Sequence, residues 1–208
     1  MRRVRYHRRM AAERMRLIVA ITGASGAIYG IRLLEALAKV RGVEVHLILS
    51  RGGKLTIGVE TGWKVKDVEA MAHMVHSDQD LAATISSGSF KTAGMVVAPC
   101  SIKTLSGIVN SYADTLVVRA ADVVLKEGRK LVLMPRETPL HAGHCRLLLQ
   151  AAELGAVIAP PMPAFYNAPR TIDDLIDHNI GRVLDLFGIG SGLVKRWKGA
   201  GKAPRDGA

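Results

Sequence analysis

The sequence has few aromatic residues, few cysteines and no long hydrophobic run, and each shortage limits what the protein can be. Phe, Trp and Tyr make up 4% of the 208 residues, as is typical of a parallel sheet covered by helices rich in alanine and leucine. Cys100 and Cys145 are the only cysteines, so a disulfide framework is excluded and we expect a cytoplasmic protein with reduced thiols. No apolar run reaches the roughly 18 residues that a transmembrane helix needs.

The net charge of +11 is concentrated at the two ends of the chain. Residues 1–16 contain seven arginines and one glutamate, and residues 195–208 contain five basic residues and one aspartate. The residues between are close to neutral, so the domain lacks the basic surface of a nucleic-acid binder, and we expect no nucleic-acid partner. We predict that residues 1–15 are a disordered basic tail, or that the start codon is assigned too far upstream and these residues are not translated. Residues 191–208 are predicted to be a basic carboxyl-terminal tail.

A glycine-rich turn follows the first apolar segment. The run Leu17–Ile21 is rich in branched apolar residues and predicts a buried parallel strand. Thr22–Gly26 follows, and a helical pattern begins at once. Backbone N–H groups at such a turn, with the helix dipole behind them, bind phosphate. Gly23 and Gly26 allow a sharp turn and a close approach to a ligand, and Ser25 adds a hydroxyl. Because the G-x-G-x-x-G pattern is absent, a tight turn without a ligand is an equally supported interpretation.

Short apolar segments alternate with helical patterns along the rest of the chain. The predicted strands are residues 17–21, 43–50, 94–99, 130–134 and 157–159, with a short extended piece within 65–74. Helical patterns include residues 54–61, 141–154 and 172–187. This alternation predicts one α/β domain over residues 16–190, with a parallel sheet wound on both faces.

Polar residues follow several of the predicted strands. They are Ser25, Ser50, Ser101 with Thr104, Arg136 with Glu137, and Tyr166. Because the carboxyl ends of parallel strands meet at one edge, where ligands of such folds bind, these residues favour a phosphorylated ligand. The general polarity of loops accounts for the serines, but it does not account for Arg136 next to Glu137 between two prolines.

Four segments, in this order, resemble the UbiX-type flavin prenyltransferases: TGASGAIYG, PCSIKTLSGI, RAADVVLKEGRKLVLMPRETPLH and PPMPAFYNAP. The resemblance runs from about Arg16 to Trp197. It implies a single Rossmann-like or flavodoxin-like α/β domain that binds FMN, and a transferase that needs no metal. The implied reaction joins a dimethylallyl group, from dimethylallyl monophosphate, to reduced FMN. The product, prenylated FMN, serves a UbiD-type decarboxylase, and the family forms homo-oligomers that are commonly dodecamers.

The resemblance also assigns residues to the flavin. The residues implied to hold FMN are Gly23, Ala24, Ser25, Ser50, Ser101, Ile102, Lys103, Thr104 and Arg136. Ser25 is counted among the catalytic residues as well. No metal ligand set is expected, since His141 and His144 lack a third ligand.

A second set of residues is implied to bind the prenyl donor and to carry the chemistry. The donor-binding residues are Arg119, Lys126, Tyr166, Arg182 and Trp197, and the catalytic residues are Glu137, Glu60 and Lys126 together with Ser25. Expelling phosphate from an allylic carbon needs cations around the departing oxygens and a proton source, and this set offers both. A neighbouring subunit is expected to complete the phosphate site.

Each donor-binding residue also has a structural interpretation. By spacing alone, Arg182 could be a surface arginine paired with an aspartate of its own helix. Lys126 could pair with Glu127 at a solvated helix end, and Tyr166 could only pack in its proline loop. At the level of function, the competing predictions are a flavin-dependent decarboxylase of the same fold and a non-catalytic flavin carrier.

Overall fold

Strands and helices alternate along the described part of the chain. The computed structural model describes residues 14–197 and residue 199, so most of the predicted amino-terminal tail, and residues 198 and 200–208 of the other tail, lie outside the described residues. The strands are β1 (Met15–Ile21), β2 (Val43–Leu49), β3 (Met74–Ser77), β4 (Gly94–Cys100), β5 (Lys130–Pro135) and β6 (Val157–Ile158). The helices are α1 (Ala27–Ala38), α2 (Arg51–Glu60), α3 (Val65–Glu69), α4 (Ile102–Val109), α5 (Leu116–Lys126), α6 (Ala142–Glu153) and α7 (Ile172–Leu186).

These strands form one parallel sheet in the order β3-β2-β1-β4-β5-β6. The chain begins in the middle with β1, builds outward to β3 and returns to β4 on the other side of β1. This confirms the predicted doubly wound parallel sheet. The reversal of strand order leaves a crevice between β1 and β4 at the carboxyl edge, which is where ligands bind in such folds.

The side chains of β1 alternate between two hydrophobic clusters on opposite faces of the sheet. Leu17, Val19 and Ile21 pack with residues of α1, α2, α3 and α7, whereas Ile18 and Ala20 pack with residues of α4, α5 and α6. None of these five side chains is more than 1% exposed. Burial on both faces explains why the strand is a continuous apolar run instead of an alternating one.

Helix α2 begins earlier than the sequence pattern indicates. The pattern predicts a helix over residues 54–61, but α2 spans Arg51–Glu60. Its first turn is capped by Ser50, whose Oγ accepts a hydrogen bond from the Gly53 N–H at 3.0 Å. Gly52 and Gly53 are poor helix formers, so the pattern hides this start. The true start brings the amino end of α2 to the carboxyl edge of the sheet.

Residues 191–197 fold back over α7. Leu193 and Val194 lie against Gly181, which is buried on α7. Arg196 forms an ion pair with Asp185 of the same helix at 2.8 Å. The domain boundary at residue 190 stays a prediction, although this packing ties the segment beyond it to α7. Among the described residues, no helix has the length and apolar character needed to cross a membrane.

Candidate active site

A cavity of about 960 Å³ opens at the carboxyl edge of the sheet, beside the reversal of strand order. Its volume lies in the range usual for small-molecule sites. Seven of the residues that the sequence assigns to the site line it: Gly23, Ser50, Ser101, Ile102, Lys103, Thr104 and Glu137. The structure therefore brings together residues from four separate junctions between strands and helices.

Two glycines allow the backbones on one side of this cavity to touch. A Cβ added at Gly23 would lie 2.9 Å from the Gly52 Cα, and one added at Gly52 would lie 2.8 Å from the Gly23 Cα. Such distances are too short for any side chain, so both positions need glycine for close approach and not for an unusual backbone angle. The resulting wall presents backbone atoms to the cavity.

The amino ends of α2 and α4 reach the same cavity, and each is capped by a serine. The Ser101 Oγ accepts a hydrogen bond from the Thr104 N–H at 3.2 Å and lies 3.0 Å from the Thr104 hydroxyl. The Ser101 N–H donates to the Thr22 hydroxyl at 2.8 Å, which fixes this junction to the end of β1. Helix amino ends with hydroxyl caps attract anions, so these two junctions fit the phosphate of a bound nucleotide.

The amino end of α1 already holds an anion, the carboxylate of Glu60. One of its oxygens accepts hydrogen bonds from the Gly26 N–H at 2.7 Å and from the Ala27 N–H at 3.3 Å. The sequence leaves this turn open between a phosphate-binding site and a tight turn without a ligand, and here a carboxylate of the chain itself binds these N–H groups. Sequence reasoning missed this contact because Glu60 lies 34 residues away on another helix.

The surroundings of Glu60 also set its protonation state. Burial alone would raise the pKa of Glu60. Hydrogen bonds from Gly26, from the Ser25 hydroxyl and from Ala27 outweigh burial, and the nearby charge of Arg136 acts in the same direction. The pKa of Glu60 therefore lies below its usual value, and the group is a carboxylate at neutral pH.

Glu137 and Arg136 follow the end of β5. The Glu137 side chain lines the cavity, and its Oε1 accepts a hydrogen bond from the Thr138 N–H at 3.0 Å. The Arg136 N–H donates to the carbonyl of Cys100 at 3.2 Å, which anchors the loop to the end of β4. Since the charge of Arg136 acts on Glu60, the two carboxyl groups and this arginine belong to the same edge of the sheet.

A second group, made of three predicted residues and His178, meets beside α7, and none of its members lines the cavity. We call Tyr166, His178, Arg182 and Trp197 the α7 cluster. The Tyr166 hydroxyl lies 3.0 Å from the His178 Nε2, and the Tyr166 and Trp197 rings meet edge to face at 5.8 Å. Arg182 lies one turn after His178 and pairs with Asp185 at 3.2 Å, as the structural interpretation of Arg182 predicts.

The two predicted residues of α5 have polar partners that belong to neither group. The Arg119 guanidinium donates to the Ser86 carbonyl at 3.2 Å and pairs with Asp122 at 3.0 Å. Lys126 pairs with Glu127 at 2.9 Å. Helix α5 starts beside the cavity and ends near the start of β5, so Lys126 lies about 15 Å farther along the helix axis. Within one chain, Lys126 is not brought to the cavity.

Sequence reasoning missed Asp78, which also lines the cavity. The Asp78 Oδ1 accepts a hydrogen bond from the Val117 N–H at 3.2 Å, so the carboxylate caps the amino end of α5. Burial raises the pKa of Asp78, and the hydrogen bond only partly opposes this. Asp78 lies just after β3, the strand that the sequence pattern defined least clearly.

Two further features bear on other kinds of chemistry. Burial raises the pKa of the Cys100 thiol to about 12, so Cys100 is a neutral core residue. His141 and His144 stack with their ring centroids 3.6 Å apart. Within residues 14–197 and 199, no group of three His, Cys, Asp or Glu side chains is arranged to hold a metal ion.

Comparisons with known proteins agree with this geometry. A family model described as "Flavoprotein" matches residues 5–181. A flavin prenyltransferase UbiX of Escherichia coli (strain K12) is 58% identical over 187 residues, which cover 89% of this chain and 99% of the relative. A dodecameric FMN-dependent UbiX-like decarboxylase of Escherichia coli O157:H7 is 55% identical with a TM-score of 0.88, covering 89% and 100% of the two chains. AnUbiX (PadA1), solved in complex with FMN and dimethylallyl pyrophosphate, is 49% identical with a TM-score of 0.87, covering 89% and 98%.

The fold, the cavity and the matching family model thus define the class, a flavoprotein built on a doubly wound parallel sheet. The sequence identity to these relatives, over most of each chain, narrows the class to one family. The chain belongs to the UbiX family of flavin prenyltransferases. The resemblance carried by the four sequence segments is confirmed, and with it the enzyme class, a transferase.

Proposed function

We propose that this protein joins a dimethylallyl group from dimethylallyl monophosphate to reduced FMN, which makes prenylated FMN. The observation that carries the proposal is the cavity, because it collects seven residues assigned to the site from four separate parts of the chain. FMN, a substrate here, supplies the electron-rich ring that is alkylated. The protein's own residues bind it, orient it and handle the proton and phosphate.

The geometry supports a definite orientation of FMN. The amino ends of α2 and α4, with Ser50, Ser101 and Thr104, offer the hydroxyl and N–H groups that suit its phosphate. The amino end of α1 is taken by Glu60, so Gly23, Ala24 and Ser25 contribute contact surface near the ligand more than anion binding. We also assign Ile102, Lys103 and Arg136 to the flavin site.

The two carboxyl groups are assigned different tasks. Glu137 lines the cavity and has a single hydrogen bond from its own loop, and we assign the proton transfer at the leaving phosphate or the flavin ring to it. Glu60 is held ionised by the amino end of α1, and Ser25 donates to it. In this arrangement Glu60 and Ser25 supply a fixed negative charge beside Arg136.

The prenyl phosphate is assigned to Tyr166 and Arg182 of the α7 cluster, with Trp197 as a hydrophobic wall. Arg119 and Lys126 are assigned to the same phosphate from a neighbouring copy of the chain, since Lys126 does not reach the cavity of its own chain. The dodecameric relative of Escherichia coli O157:H7 supports this assembly, and we propose a dodecamer here.

Exposed apolar side chains support such an assembly. The side chains of Leu149, Met162 and Phe165 are 60%, 69% and 72% exposed in the single chain. Leu149 lies on α6, and the other two lie in the proline loop that leads to Tyr166. We assign these exposed side chains to the surface that another copy of the chain would cover.

The wider role follows from the product. Prenylated FMN is a cofactor and not an end product, and we propose that a UbiD-type decarboxylase receives it. We place the reaction in the cytoplasm, where the free thiols of Cys100 and Cys145 would stay reduced.

The test is anaerobic incubation of the protein with reduced FMN and dimethylallyl monophosphate, followed by mass spectrometry of the flavin. We expect a flavin heavier by one five-carbon unit. One solved relative carries the name of a decarboxylase, so release of carbon dioxide from an aromatic acid should be measured in parallel, with the protein alone and with added UbiD-type enzyme. Unchanged FMN together with carbon dioxide release by the protein alone would overturn the proposal.

A further inference from the structure

We propose that His178 is a positioning residue for the prenyl donor, because it holds the Tyr166 hydroxyl so that its proton points towards the donor phosphate. This inference rests on the proposed function, in which Tyr166 binds that phosphate. The four sequence segments that carry the family resemblance do not include His178, which lies on α7 twelve residues beyond Tyr166.

His178 connects two residues of the proline loop to α7. Its ring is only 5% exposed, although it sits on a helix next to the surface. On one side the Nε2 lies 3.0 Å from the Tyr166 hydroxyl, and on the other the Nδ1 lies 3.2 Å from the Asn167 Nδ2. Both ring nitrogens therefore have a partner, and both partners belong to the same loop.

The partner at Nδ1 decides which way the proton of Tyr166 points. The Asn167 amide presents its Nδ2 to His178 in this structure, and among the described residues its buried Oδ1 has no hydrogen-bond partner. An amide nitrogen only donates, so this orientation makes the Nδ1 of His178 an acceptor. In the neutral ring the proton then lies on Nε2, which donates to the Tyr166 oxygen. The Tyr166 O–H is left free to donate to a group on its open side.

The surroundings favour this neutral form and a phosphate as the acceptor. Burial lowers the pKa of His178, and the positive charge of Arg182 lowers it further. The Tyr166 ring is 55% exposed, so its open side is accessible, and the Trp197 ring meets it edge to face and limits its rotation. Arg182 follows one turn after His178 on α7, and its charge acts on the same histidine ring that contacts the hydroxyl. A hydroxyl donor beside a guanidinium is a pairing that suits a phosphate monoester.

The test is a double-mutant cycle of His178→Phe and Tyr166→Phe. Two quantities are measured for the FMN-loaded protein, the Kd of dimethylallyl monophosphate by calorimetry and kcat/KM for prenyl transfer. Each single change is expected to weaken donor binding and kcat/KM about tenfold, the value of one hydrogen bond to a charged group. The double variant is expected to equal Tyr166→Phe alone, because His178 acts through that hydroxyl. His178→Gln, which keeps an N–H donor, is expected to restore most of the loss.

A second variant tests the direction of the proton without removing the ring. In Asn167→Asp a carboxylate accepts from Nδ1–H, so Nε2 becomes an acceptor and takes the Tyr166 proton away from the phosphate. We expect donor binding as weak as in Tyr166→Phe. In the Tyr166→Phe background the same change should have no further effect, whereas simple charge repulsion would weaken binding in both backgrounds.

The outcomes separate this inference from the proposed function. Two results would overturn the role of His178 while the wild-type protein still makes prenylated FMN. One is a loss in the double variant that equals the product of the two single losses, and the other is unchanged donor binding in His178→Phe. If the wild-type protein binds the donor but makes no product, the proposed reaction fails, and the binding cycle alone then decides the role of His178. If the wild-type protein binds no donor, both fail.

Discussion

The cavity and the α7 cluster are built in opposite ways. Much of the cavity wall comes from short side chains and backbone N–H groups at the starts of helices, close to strand ends. The α7 cluster is made from long side chains of three separate segments, the proline loop, α7 and residues 191–197. The positions of the cavity residues are therefore set by the sheet, whereas the positions of the α7-cluster residues depend on how loops fold over a helix. Changes in the cavity should therefore act on FMN and the chemical step, and changes in the α7 cluster should act on the prenyl donor.

The largest effect is expected for Glu137→Gln. The amide cannot transfer a proton, so kcat for prenyl transfer should fall at least about 100-fold. The amide fills the same volume in the cavity wall, so the Kd of FMN should change little. Rapid-quench measurement of prenylated FMN gives the kcat, and fluorescence titration gives the Kd of FMN.

Glu153→Gln is the matched control, since Glu153 is exposed at the end of α6. It should leave both quantities unchanged. If the Glu137→Gln protein keeps the wild-type kcat for prenyl transfer, another group must transfer the proton.

A smaller loss is expected for Arg182→Met, which keeps the length of the side chain and removes its charge. Losing one charged contact to the donor phosphate should lower kcat/KM by about 10- to 100-fold, mainly through KM. The Kd of FMN should stay the same. Arg41→Met, in the exposed turn between α1 and β2, is the control and should change neither. A parallel loss of FMN binding would show that the two regions are not separate.

Gly23→Ala tests the backbone contact in the cavity wall. The added Cβ would meet the Gly52 Cα at 2.9 Å, so the two turns must move apart, and we expect a loss of about 1–3 kcal/mol in stability together with weaker FMN binding. Gly58→Ala is a matched control, since Gly58 lies within α2 with open space around its Cα, and it should stabilise the protein by up to about 1 kcal/mol. Chemical denaturation measures both. Equal effects at the two positions would contradict the close-contact explanation.

The smallest effect is expected for Glu60→Gln, measured as the difference in Tm from the wild-type protein across pH. The folded-state pKa of Glu60 is depressed, so its stabilisation is present above the unfolded value of about 4.3 and is lost as pH falls through the folded value. At pH 7 the variant should melt about 2–4 °C lower, and the gap should close in acid. A gap that does not depend on pH would mean that Glu60 acts by packing alone.

Most of the fold could be predicted from the sequence because its signals are local. A buried parallel strand is a short branched apolar run, and the predicted 130–134 differs from β5 by one residue. The start of α2 was harder, since Gly52 and Gly53 weaken the helical pattern just after the serine cap. The seven cavity residues were predictable for the same reason, because each lies in or beside the turn after a strand, or at the helix start that follows.

Contacts between distant segments could not be predicted. The bond from Gly26 to Glu60 joins residues 34 apart, and Arg32 of α1 reaches Asp177 of α7 across 145 residues. No local pattern shows that His178 turns inward to meet Tyr166, since a histidine on an amphipathic helix can face either way. Such pairings follow from how α7 and the proline loop pack, which the sequence of each segment does not determine by itself.

Asp185 contacts two arginines with different tasks. It accepts two hydrogen bonds from Arg196, at 2.8 Å and 3.1 Å, and one from Arg182 at 3.2 Å. Arg196 is therefore the counterion that satisfies most of the Asp185 carboxylate, which leaves Arg182 available to bind a phosphate. A chain ended at residue 190 would lose this counterion and Trp197 together, and Asp185 would then compete with the donor for Arg182. Shortening the basic tail for crystallisation should accordingly stop after Trp197.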